Sequence, residues 1–297
     1  MKLLQPLANL LPPALRALGR PAPAAYGEQE RRLAEILDLP VEELLALRLG
    51  PRYHYRPFTV AKPDGRERRL VAPSPALKAL QRRLLRDYLE TLPVHPAAMA
   101  FRAGASTVAN ARVHAGQAVV ATLDLADFFD TTTAARVRAF FAAQGWRGAA
   151  LAALMRLCTY RDALPQGAPT SPCLSNLVNA ELDEDLLELA RRAGARYTRY
   201  GDDLTFSWSA GDVPACFESK LGAILRAAGY AVQPRKAWRV WRLAESPQVT
   251  GLVLGADGGV HAPAALRRRV RWLRWLWWWR RDERTAERIE GYEAYLK

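Results

Sequence analysis

Cysteine is scarce in this chain: Cys158, Cys173 and Cys216 among 297 residues, an odd number with no paired spacing. That excludes a disulfide framework and a cysteine zinc site, and a reducing cytoplasm is the expected setting. Long apolar runs are also missing. No segment reaches the twenty or so apolar residues that cross a bilayer, and even Trp272–Trp279 is broken by Arg274 and flanked by Arg271, Arg280 and Arg281. The first residues carry Pro6, Pro12 and Pro13 without the basic-then-apolar order of a secretory leader. No membrane span is therefore expected. Acid is in deficit too: 30 Asp and Glu face 43 Lys and Arg, a formal charge of +13 and a pI near 10.1. So basic a chain favours a polyanion, nucleic acid first and an anionic membrane surface as the alternative.

What is present is an ordinary core-forming composition, half of it hydrophobic, enough for one multi-lobed unit or two to three subdomains. Helical spacing runs through Glu28–Leu37, Val41–Leu49 and Pro75–Leu92. Tyr53–Val60 and Arg66–Val71 read as a hairpin about the turn Lys62-Pro63-Asp64-Gly65. Ala118–Leu125 reads as a strand, followed by helices at Thr133–Gln144 and Gly148–Tyr160. One long helix is expected over Ser171–Arg192, another over Val213–Gly229, strands at Trp238–Leu243 and Val249–Leu254, and helix throughout Pro263–Lys297. The class is α+β.

The chemistry gathers at carboxylates. Tyr200-Gly201-Asp202-Asp203 lies between alternating runs, Arg196–Arg199 and Leu204–Trp208, which places two adjacent acids at a hairpin tip. Like charges so close resist ionising together, and a bound divalent cation relieves them. Asp124 ends the upstream strand, and adjacent strands would bring it to the same point. Hard oxygen ligands suit Mg²⁺, and two such ions serve an in-line displacement. Asp-Asp is also a common turn dipeptide, so the weight rests on the surrounding motifs. Asp124 and Asp202 are favoured over Asp203 because alternate strand residues diverge. Lys62, Arg66, Arg68 and Arg69 charge the first hairpin in a way suited to a triphosphate. His114 has no second His or Cys spaced to share a metal, so a structural or RNA-contacting role is expected of it.

The order Asp124, Phe128-Phe129, then Gln166-Gly167-Ala168-Pro169-Thr170-Ser171-Pro172, then Tyr200-Gly201-Asp202-Asp203 resembles the palm of a reverse transcriptase. Asn110-Ala111-Arg112-Val113-His114 and Val249-Thr250-Gly251 resemble two signatures of the bacterial retron type, over a stretch from about Leu33 to Leu254. The resemblance implies a right-hand polymerase: a helical extension over 1–50, fingers with part of the palm over 51–118, palm over 119–255 with a fingers insertion near 140–165, and a helical thumb over 256–297. It implies two Mg²⁺ at Asp124, Leu125, Asp202 and Asp203, with Lys236 as proton donor to the leaving pyrophosphate. Phe129 would lie under the sugar and select deoxynucleotides, Phe128 being core. Gln166 and Gly167 would let backbone approach the nucleotide or template, and Arg68 and Arg69 would bind phosphate. Asn110, His114, Val249, Thr250 and Gly251 would contribute to RNA recognition.

Eight arginines between Arg267 and Arg284 alternate with Trp272, Trp275, Trp277, Trp278 and Trp279. Trp272, Trp275, Leu276 and Trp279 share one helical face, expected to pack as core, while Arg267, Arg268, Arg271 and Arg274 track phosphates. Trp277 or Trp278 could stack on a base or sugar. The implied activity is RNA-directed DNA synthesis: copying of a cognate noncoding RNA, primed from an RNA hydroxyl, into RNA-linked DNA. The implied partners are that RNA, the RNA–DNA duplex, deoxynucleoside triphosphates and a separate effector protein in defence against phage. Rival readings are an RNA-directed RNA polymerase, a diversity-generating or intron-derived reverse transcriptase, and a noncatalytic RNA-binding scaffold.

Overall fold

A computed structural model describes residues 26–44, 55–61, 65, 67–233 and 238–296, the side chains of 68, 69 and 293–296 excepted. The chain divides into two units, each assembled from two stretches: residues up to Val94 with Asp127–Ala180, and His95–Ala126 with Glu181–Lys297.

The first stretch of unit 1 carries α1 (Glu28–Leu37), then β1 (Tyr55–Ala61) and β2 (Glu67–Pro73), then α2 (Pro75–Asp87) ending in a 3₁₀ turn at Leu89–Thr91. β1 and β2 pair antiparallel from Tyr55 opposite Pro73 to Ala61 opposite Glu67. Ser74 starts α2 by accepting from the Leu77 amide, with Pro75 at the first helical position, where its missing N–H is harmless. Unit 2 begins with α3 (Thr107–Val113), capped by Ser106, and β3 (Val119–Asp124). The chain then returns to unit 1 for α4 (Phe128–Thr131), α5 (Ala134–Ala143), α6 (Gly148–Cys158) and α7 (Ser171–Val178). The rest is unit 2: α8 (Ala180–Arg192), β4 (Ala195–Tyr200), β5 (Asp203–Trp208), α9 (Phe217–Ala227), β6 (Arg239–Arg242), β7 (Gln248–Val249), β8 (Leu252–Leu254), β9 (Val260–His261), α10 (Ala264–Arg280) and α11 (Glu283–Leu296).

Unit 1 is held by one apolar cluster to which Leu33, Leu37, Leu84, Phe141, Leu154 and Leu174 contribute. Trp146 sits edge-on to Tyr88 and donates its Nε1–H to the Tyr88 hydroxyl at 2.8 Å, so the indole is buried without a lost hydrogen bond. Unit 2 centres on a four-stranded sheet in the order β4-β5-β3-β6. Strand alternation gives this sheet two unlike faces. One carries Val119, Ala121, Leu123, Leu204, Phe206 and Trp208, all buried, with Phe206 and Trp208 packed edge-on against Phe217 of α9. The other carries Thr122, Asp124, Asp203, Thr205 and Ser207, and is polar. α3 lies over part of that face, where Val108, Ala111 and Val120 meet Val249, Leu252 and Leu254 of the small β7-β8-β9 sheet.

The α+β class holds, and four expected elements differ in detail. The helix over Ser171–Arg192 is two helices, α7 and α8, separated at Asn179. There the side chain donates to the Ser175 carbonyl and accepts from Arg136, competing with the helical backbone. α9 starts at Phe217, not Val213, because Pro214 disfavours helix in the residue before it. The strand over Val249–Leu254 is a hairpin: Thr250 and Gly251 both take positive φ, 48° and 81°, and turn β7 back onto β8. The helix over Pro263–Lys297 breaks at left-handed Arg281, after which Asp282 Oδ1 accepts from the Thr285 amide at 2.9 Å. α3, α4 and β9 were not anticipated from the sequence. Of the expected helix Val41–Leu49, only 41–44 are described, and they are helical.

The Trp face of α10 is a larger correction. Trp272, Trp275, Trp278 and Trp279 are 54–64% exposed, while Val270 and Leu273, a turn apart on the opposite face, are the buried positions. α11 packs along α10, with Arg269 stacked over the Tyr292 ring. A shared helical face does not by itself say which side turns inward, and here the inward side is the smaller aliphatic one.

Candidate active site

Two antiparallel pairings assemble the acids. β4 and β5 pair with Tyr200 opposite Asp203, leaving Gly201 and Asp202 as a two-residue loop. Gly201 has φ 66°, a conformation that costs an L-residue about 1 kcal/mol or more and glycine nothing. β3 pairs with β5 so that Asp124 stands directly opposite Asp203 and Thr122 opposite Thr205. Directly opposed residues point to one face with Cβ atoms about 5 Å apart. The loop is tied to β3 by the Leu125 amide, which donates to the Asp202 carbonyl at 2.9 Å. The Gln233 amide likewise donates to the Asp124 carbonyl at 2.8 Å.

A cleft of about 500 Å³ opens on this face, with Asp124 and Asp203 among its walls. Thr122, Thr205, Tyr200, Arg239 and Trp241 line it across the sheet, and Gln248, Thr250 and Gly251 line it from the β7–β8 turn. Asp202 is exposed on the loop. The acids expected to meet are therefore gathered at one end of one sheet. It is Asp203, not Asp202, that shares the cleft wall with Asp124, because the pairing register sets its direction.

The donors at this point are carboxylate oxygens with no histidine or cysteine among them, which is the set a hard cation takes. Among the described residues no three His, Cys, Asp or Glu side chains are grouped closely enough to hold an ion alone. Leu125, also expected at the metal, has a buried side chain.

Of the other expected residues, some lie in unit 1, some are buried in unit 2 and some are exposed there. In unit 1, Phe128 is buried and Phe129 packs edge-on to it at 5.4 Å, half-buried against the core. Gln166 accepts from the Val71 amide at 2.9 Å, which joins the Gln166–Gly167 loop to the strand whose backbone includes Arg68 and Arg69. Gly167 has φ 132°, and a Cβ there would stand 2.8 Å from the Val71 carbonyl oxygen. Lys62, Arg66 and Lys236 lie outside the described residues. In unit 2, Asn110, His114 and Val249 are buried, so their side chains present no surface to RNA. His114 instead bonds Ser207 Oγ through Nδ1 at 2.7 Å and Thr198 Oγ1 through Nε2 at 2.8 Å, clasping β4 to β5. Burial, and secondarily the charge of Arg196, push its pKa down to about 3, so the ring stays neutral. Thr250 donates its hydroxyl to the Thr107 carbonyl and, with Gly251, borders the cleft. Arg267, Arg268, Arg271 and Arg274 are exposed along α10.

Thr122, Thr205, Arg239 and Trp241 were missed by sequence reasoning. The period-two alternation that carries Asp124 also carries Thr122, and it was the available signal. Cys158 and Cys173 are buried, with thiols raised to about 12 chiefly by that burial, so neither is a reactive thiolate.

Comparison with known proteins agrees with this geometry. Residues 60–254 match the family described as reverse transcriptase (RNA-dependent DNA polymerase). The chain is similar to the retron Mx162 reverse transcriptase of Myxococcus xanthus, 40% identical over 240 residues that make up 71% of this chain and 49% of that one. The retron Mx65 reverse transcriptase of the same organism is 37% identical over 82% of this chain and 59% of its own. The retron Ec86 reverse transcriptase of Escherichia coli is 35% identical over 73% and 68%. The chain belongs to the reverse transcriptase family, within its bacterial retron type. It spans about half to two thirds of the length of these relatives. No described helix is long and apolar enough to cross a membrane.

Proposed function

We propose that the protein is an RNA-directed DNA polymerase that copies a cognate structured RNA, starting from a hydroxyl of that RNA, into RNA-linked DNA. One observation carries the reading. In a chain of this family, Asp124 faces Asp203 across a sheet pairing, and both line a cleft of about 500 Å³.

Asp124, Asp202 and Asp203, with Leu125 beside them, are the positions that would hold two Mg²⁺. When bound, the ions supply charge neutralisation at the triphosphate and a more acidic attacking hydroxyl. The chain's own residues do the rest. The sheet pairing fixes the direction of the carboxylates, Phe129 supports the sugar and rejects a 2′-hydroxyl, and Gln166–Gly167 offers backbone at close approach. Arg68 and Arg69, with Lys62 and Arg66, bind the triphosphate, and Lys236 protonates the departing pyrophosphate. Thr250, Gly251 and the exposed arginines of α10 contact the RNA and the growing duplex. In the hand-like division, 1–50 is a helical extension, 51–118 forms the fingers with part of the palm, 119–255 the palm with a fingers insertion near 140–165, and 256–297 the thumb. A separate effector protein and a role against phage complete the reading.

Purified protein with its RNA, Mg²⁺ and deoxynucleotides is expected to extend DNA, and Asp202→Asn and Asp203→Asn are expected to abolish extension while RNA binding persists. Extension by either folded variant at the wild-type rate would refute the site.

A further inference from the structure

Behind the acid-bearing loop, on the face of the sheet turned away from the cleft, lies a charged cluster without solvent. Asp183 on α8 and Arg199 on β4 are both fully buried. Arg199 donates from Nε to Asp183 Oδ1 at 2.8 Å and from Nη2 to Oδ2 at 2.6 Å, and the Tyr197 hydroxyl gives Oδ1 another bond at 2.9 Å. The remaining guanidinium nitrogen, Nη1, reaches the Gly201 carbonyl at 3.2 Å. Backbone bonds anchor the arginine itself: its amide donates to Ala97 and its carbonyl accepts from Met99.

Stability does not account for this cluster. Burying an ion pair forfeits the hydration of both ions, and replacing such a pair with apolar residues of similar volume is often neutral or stabilising. Geometry does account for it. Gly201 and Asp202 are the two loop residues between β4 and β5. Arg199 holds the carbonyl of the first, and the Leu125 amide holds the carbonyl of the second. A planar fork can bind a carboxylate with two nitrogens and still offer a third elsewhere, whereas a lysine ammonium has no such fixed array. Burial opposes the charge on Arg199, but Asp183 outweighs it and the guanidinium stays charged.

We propose that Arg199, locked by Asp183 and Tyr197, is a positioning residue that fixes the Gly201–Asp202 loop and so holds the loop acids in register against Asp124. The inference rests on the proposed polymerase reading, and its test is arranged to fail separately. The combined variant Asp183→Leu, Tyr197→Phe, Arg199→Met removes the buried ion pair together with the tyrosine hydroxyl bonded to it. It is expected to fold with a Tm at or above that of the wild type and to bind RNA normally. Its kcat is expected to fall about a hundredfold, as misplacement by about 1 Å does, with KM for deoxynucleotide little changed. Mn²⁺ affinity, read by electron paramagnetic resonance on the protein alone, is expected to weaken about tenfold, near 1.4 kcal/mol. A folded variant with wild-type kcat and Mn²⁺ affinity overturns the proposal. If the combined variant does not fold, Arg199→Lys decides: it keeps the charge and loses the fork, and unchanged kcat and Mn²⁺ affinity again overturn it. Should the wild type extend no DNA while the variants still weaken Mn²⁺ binding, the positioning role stands and the polymerase reading fails.

Discussion

Acid should expose what His114 does. Its ring has no solvent contact and spans Ser207 and Thr198, two hydroxyls on neighbouring strands, on the same face of the sheet as Asp124 and Asp203. Its folded pKa is about 3, against an ordinary value of 6.5. The unfolded chain therefore binds a proton between these values that the native chain refuses, and stability rises with pH across that window. The contribution is whole above pH 6.5 and shrinks as the pH falls towards 3. At pH 5 the loss is about 1.5 pKa units at 1.36 kcal/mol each, or about 2 kcal/mol. His114→Gln keeps one of the two hydrogen bonds and cannot titrate, so at pH 7.5 it should be about 1–2 kcal/mol less stable than wild type. By pH 5 that gap should close or reverse. Urea unfolding followed by tryptophan fluorescence at both pH values gives the comparison, and other titrating groups cancel because both proteins share them. A gap of equal size at pH 7.5 and pH 5 would refute a neutral, buried His114.

Two further outcomes test local geometry. Gly167→Ala must move the Val71 carbonyl or abandon φ 132°; about 2 kcal/mol of strain is expected, a Tm lower by about 4–8 °C in a thermal melt. An unchanged Tm would mean that the loop relaxes freely. On α10, Leu273→Ala should destabilise by about 2–4 kcal/mol and Trp275→Ala by less than about 1 kcal/mol, because Leu273 is buried and Trp275 is 59% exposed. The reverse order in denaturant titration would return the tryptophans to the core.

The residues themselves determined a good deal. Strand alternation and the hairpin about Gly201-Asp202 announced the acid pair, because a period of two and a two-residue loop are local properties of the chain. Charge excess and the lack of long apolar runs were equally plain from composition. Breaks within long helical patterns were less so: Asn179 and Arg281 end helices through side-chain bonds and a left-handed backbone that periodicity does not register. Only the fold decided which of Asp202 and Asp203 lines the cleft with Asp124, since that depends on the register between β3 and β5, strands separated by some eighty residues. Only the fold turned the tryptophans of α10 outward, and only the fold joined Asp183, Arg199 and Gly201. An acid in the apolar stripe of Leu182, Leu186 and Ala190 marks Asp183 as unusual, but its partner is chosen by packing between a helix and a strand. Short-range geometry is written in the order of residues, whereas the direction a charge faces is settled when distant segments compete to bury their apolar sides.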